Sequence, residues 1–80
     1  MNTPSSIHEL AHRRFDGIDV AMFWDSATNR VTVAVSDDKN GEAFEILVAP
    51  GERAMDVFHH PFAYAAQPGR QRPPALAEAA

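Results

Sequence analysis

The sequence predicts an α+β fold: a small antiparallel β-meander of three to four strands with one C-terminal helix packed on one face. Three observations carry this. Two alternating apolar runs flank a turn centred on Asn40-Gly41; a second turn dipeptide, Asp16-Gly17, precedes another alternating run; and an apolar stripe at helical spacing follows Pro50-Gly51. A chain of 80 residues holds one such domain. At this length roughly 60% of the unfolded surface is buried on folding, so association would add stability.

The central hairpin comes first because everything else packs against it. Val31, Val33 and Val35 alternate with Thr32, Ala34 and Ser36, and Phe44, Ile46 and Val48 alternate with Glu45, Leu47 and Ala49. β-branched and aromatic residues at a period of two suit one buried face of a pleated strand. Gly41 takes positive φ without strain and Asn40 tolerates it, which predicts a four- or five-residue turn. A one-residue slip would turn the valines out to water, so the pattern also sets the register.

Taken in order, residues 1–8 are polar with a proline and are expected to be disordered. Residues 7–15 carry two signals. Ser6 with Glu9 resembles a capping box for a short helix, whereas Asp16-Gly17 is a two-residue hairpin turn that would make the segment a strand. A helix of about eight residues is marginal alone, so the strand is favoured. Ile18 to Asp25 is a strand with Ile18, Val20, Met22 and Trp24 on one face; Ser26 to Asn29 turns the chain into the central hairpin. Glu52 to His60 reads as the helix, ended or kinked by Pro61, with Ala54, Met55, Phe58 and Phe62 as its apolar stripe. The ordered domain is thus expected over 9–66 and a disordered Pro/Arg/Ala tail over 67–80. The expected core is Val20, Met22, Trp24, Val33, Val35, Phe44, Ile46 and Phe58.

Several of these segments together resemble a group of short, uncharacterised actinobacterial proteins. The resemblance lies in DGIDV at 16–20, the strand end at Trp24, TNRVTVAVSD at 28–37, NGEAFEILV at 40–48 and FHHPFAYAA at 58–66. It covers Glu9 to Ala66 and implies a folded bacterial domain, and the group has no established activity.

Charge and composition narrow the function. Between Phe15 and His60 the acids (Asp16, Asp19, Asp25, Asp37, Asp38, Glu42, Glu45, Glu52, Asp56) outnumber Arg30, Lys39 and Arg53. Nucleic-acid binding draws on phosphate neutralisation by Lys and Arg, and this balance has the wrong sign for it. The chain has no cysteine, hence no disulfide and no thiolate site. It shows no basic start followed by an apolar run and no membrane-length apolar stretch, so a cytoplasmic location is expected, without membrane association.

No motif dictates a chemistry. His8 and His12 would share a metal only on a helix; His59 and His60 are adjacent, so their rings diverge. Asp37, Asp38, Asn40 and Glu42 superficially suggest a calcium loop, but with Gly41 sixth the twelfth position is Leu47, where a glutamate is needed. There is no G-x-S-x-G and no phosphate loop. Neither catalytic residues, a metal site nor a cofactor is expected. The clearest lead is the second sheet face, where Ala21, Phe23, Ala34 and Leu47 point away from the valines with no second helix to cover them. They mark an interface of a non-enzymatic interaction or accessory domain that forms a homodimer or binds a protein partner. Glu45 is expected at the rim of that face. The alternative is a small-ligand or metal-binding domain using His59, His60 and Tyr64.

Overall fold

A computed structural model describes residues 6–74. Five strands form one antiparallel sheet in sequential order: β1 (Ile7–Phe15), β2 (Ile18–Asp25), β3 (Arg30–Asp37), β4 (Glu42–Leu47) and β5 (Gln71–Arg72). Two short helices, α1 (Ala54–His59) and α2 (Pro61–Ala65), lie between β4 and β5. The expected meander is present, with five strands rather than three to four and two helices rather than one.

Turn chemistry explains the connections. Asp16 and Gly17 both sit at positive φ (53° and 78°), the geometry of a two-residue hairpin whose twist matches the strands it joins. This settles residues 7–15 as strand β1. At the β3–β4 turn Asp37 accepts the backbone N–H of Lys39 at 2.9 Å while Gly41 takes φ 68°. The acidic cluster thus caps its own turn.

The register aligns Val20 with Val35, Met22 with Val33, Val33 with Ile46 and Val35 with Phe44. These side chains share one face, and α1 and α2 cover it with Val57, Phe58 and Ala65 to complete the core. Three expectations about this face need correction. Trp24 is only half-buried and lies outside the core; it stands at the strand end, its ring against His8 at 5.5 Å and its indole N–H donating to Asn29 Oδ1 at 3.0 Å. Met55 and Phe62 are 49% and 43% exposed, whereas Val57 and Pro61 are buried. The face that meets the sheet is Ala54, Val57, Phe58, Pro61 and Ala65, spaced i, i+3, i+4, i+7 and i+11 across the break at His60 (φ −130°, ψ 50°), so Met55 and Phe62 fall one position off it. Phe62 still packs edge-on to Phe44 with ring centres 5.6 Å apart.

Both ends of the expected ordered region also move outward. Ile7 and His8 belong to β1, paired with Asp25 and Trp24. At the other end Arg70, assigned by sequence to a disordered tail, clamps the chain: its guanidinium donates to both Glu52 oxygens (2.7 and 2.9 Å) and to the Leu47 carbonyl. That clamp holds Gln71 and Arg72 beside Ile46 and Glu45 as β5. The expectations for residues 1–5 and 75–80 lie outside the described residues.

Candidate functional site

On the helix-free face the antiparallel register stacks side chains into rows. Asp25 stands opposite Arg30; Phe23 opposite Thr32, which in turn faces Leu47; and Ala21 opposite Ala34, which faces Glu45. Strand alternation puts all of these on the side away from the valines. The row Phe23–Thr32–Leu47 places a small residue between two large ones. The result is an open depression of about 520 Å³ lined by Phe23, Thr32, Leu47, Asp25 and Arg30 among others. The four residues expected at an interface, Ala21, Phe23, Ala34 and Leu47, are therefore neighbours on one face, each half-buried.

Charges frame this floor. Asp25 accepts the Ala27 N–H at 2.9 Å through Oδ1; hydrogen bonds from Ser6 first, then from Ala27 and Thr28, hold its carboxyl below the usual aspartate range. Arg30 is exposed and, among the described residues, has no ion pair. Next to β1, Asp19 accepts from His12 at 3.0 Å and from Arg14, which also reaches Asp38 at 2.6 Å. Glu45 was expected at the rim, but it is 1% exposed. β5 extends the sheet past β4, which puts Glu45 between Ala34 and Arg72 in the interior of the sheet.

The histidine-rich region is arranged differently. His59 leans on Phe58 with ring centres 5.4 Å apart, and His60 is exposed at the helix break. The Tyr64 hydroxyl donates to Asp56 at 2.6 Å, under the Arg70 guanidinium at 5.7 Å from its ring centre. The Asp56 carboxylate, by accepting that hydrogen bond, raises the phenol's pKa above its usual value. The Tyr64 backbone N–H donates to the His60 carbonyl at 3.4 Å; among the described residues no side-chain hydrogen bond joins His59, His60 and Tyr64. His8 and His12 are parted by the irregularity between Glu9 and Ala11, so that His8 meets Trp24 on one face while His12 meets Asp19 on the other. Among the described residues, no group of three His, Cys, Asp or Glu side chains is placed to hold a metal ion. No described helix is long and apolar enough to cross a membrane.

The sequence reading missed Thr32 as the gap in the row, Arg30 as a cation without an ion pair among the described residues, and Arg70 as the clamp. Cross-strand register, once the hairpin is drawn, reveals the first two. Arg70 and Glu52 lie 18 residues apart with no periodic pattern between them, so no local signal links them. Compared with known proteins, the chain matches no family model, no curated protein and no solved structure.

Proposed function

We propose that the chain is a small non-enzymatic interaction domain that engages protein through the helix-free sheet face, as a homodimer or with a heteromeric partner. The observation that carries this reading is the single-sided coverage of the sheet. Both helices pack on the valine face, and the opposite face presents Phe23, Leu47, Ala21 and Ala34 together. Apolar surface grouped in this way and rimmed by charge is what protein contacts use. Small alanines at its centre let another surface approach closely, and Phe23 and Leu47 supply bulk to fill the gap.

Amide chemical shifts followed from micromolar to millimolar chain concentration test the reading. Movement concentrated on Ala21, Phe23, Thr32, Ala34 and Leu47, and abolished by Phe23→Asp, is the expected result. Shifts that stay constant at those residues rule out the homodimer and leave the heteromeric form; shifts that move instead at His59, His60 and Tyr64 contradict the reading.

A further inference from the structure

We propose that the occupant of this face is a second copy of the same chain, packed sheet on sheet about a two-fold axis that runs parallel to the strands between β2 and β3. The proposal rests on the interaction-domain reading and adds the partner and its geometry.

The argument comes from register. An axis so placed keeps each row at its own height and lays β2 of one copy over β3 of the other. Asp25 then meets the partner's Arg30, and Arg30 meets the partner's Asp25, because the two stand opposite each other within one chain. One row inward, Phe23 lies over the partner's Thr32. Thr32 is the small residue between Phe23 and Leu47, so each Phe23 enters the depression on the opposite copy. Another row inward, Ala21 meets the partner's Ala34, where short side chains allow sheets to approach. A single symmetry operation thus satisfies charge, fills the depression and pairs small with small.

The other arrangements fit less well. A two-fold axis across the strands would invert the rows and lay Asp25 over the partner's Asp19, carboxylate on carboxylate. Edge pairing through β1 is blunted by the irregularity between Glu9 and Ala11 and by Glu9, Arg13 and Arg14 along that strand. The face is also large enough. Strands of 9, 8, 8, 6 and 2 residues, about 4.8 Å apart and rising about 3.3 Å per residue, give roughly 500 Å² on each copy, about 1,000 Å² for the pair and at the lower limit for a specific interface. Packing at about 30° between the sheets keeps the rows within reach of an arginine side chain.

Charge exchange tests the geometry. Arg30→Glu alone should weaken the dimer roughly tenfold or more, because each copy then sets the introduced carboxylate against the partner's Asp25; Asp25→Lys should do the same. Mixing the two variants should restore a heterodimer at wild-type affinity, since every contact is again between opposite charges. Native mass spectrometry of isotope-distinguished variants reads this directly. Asp25 also caps its turn through Ala27, so Thr32→Phe, which fills the depression without touching that cap, is the second variant and should also weaken association. A wild-type dimer indifferent to Arg30→Glu and Thr32→Phe, or unrestored by mixing, overturns this geometry and leaves the interaction reading standing. A wild-type chain that stays monomeric overturns the self-pairing and leaves the face to a heteromeric partner alone.

Discussion

At the scale of single residues, burial separates side chains that the sequence makes look alike. Phe58 and Met55 both belong to an apolar stripe at helical spacing, yet Phe58 is 4% exposed and Met55 is 49% exposed. Phe58→Ala should therefore cost about 3–5 kcal/mol, whereas Met55→Ala should stay within about 0.5 kcal/mol of wild type. Urea unfolding of the two variants checks the contrast. Whole-chain stability for this length is roughly 4–12 kcal/mol, so Phe58→Ala removes a large part of it. The valines and Phe44 were legible because alternation alone assigns them to a face. Glu45 was not, because its burial depends on β5 pairing beside it. Glu52 supplies a pH test. The Arg70 guanidinium first, then the Ala49 N–H, hold its carboxyl below the ordinary value of 4.5. The folded chain thus binds a proton there less readily than the unfolded chain. The stabilisation is complete above that ordinary value and is lost as the pH falls through the lower, folded one. Glu52→Gln should shrink the difference between urea midpoints measured at neutral and at strongly acid pH. An unchanged difference would mean that the clamp is not formed.

At the scale of elements, turns were the most readable parts of the chain. Asp16-Gly17 announced a hairpin by itself, because few residue pairs accept positive φ at both positions. Gly17→Ala should cost about 1–2 kcal/mol from its left-handed backbone. Its Cβ would meet the Lys39 side chain at 3.5 Å, an ordinary contact, so backbone strain and not crowding sets the effect. Thermal melting of the variant, with the hairpin retained by circular dichroism, is the check. The elements that escaped sequence reading are those made by contacts distant along the chain. β5 has two residues and no alternation; it exists because Arg70 ties its approach to Glu52 and the Leu47 carbonyl. Likewise α1 ends where Pro61 begins α2, and Arg13 reaches across from β1 to donate to the Phe58 carbonyl at 2.7 Å, satisfying that end. Nothing within residues 52–60 signals a partner on the first strand.

At the scale of the molecule, the meander gives a sheet with two faces and helices enough for one. Every side chain that fills the core comes from the valine face and from α1 and α2. The opposite face has the pattern of a surface that pairs with its like: a small residue between two large ones, alanines at the centre, and an acid and a base opposite each other at one end. The composition of this face was readable from alternation, while its fit to itself required the register. Light scattering coupled to size exclusion at micromolar concentration tests this central claim most directly. The account predicts a mass of twice the 8.8 kDa chain, falling to the single-chain mass in Phe23→Asp with the melting transition retained. A single-chain mass for the wild-type protein across that range would contradict it.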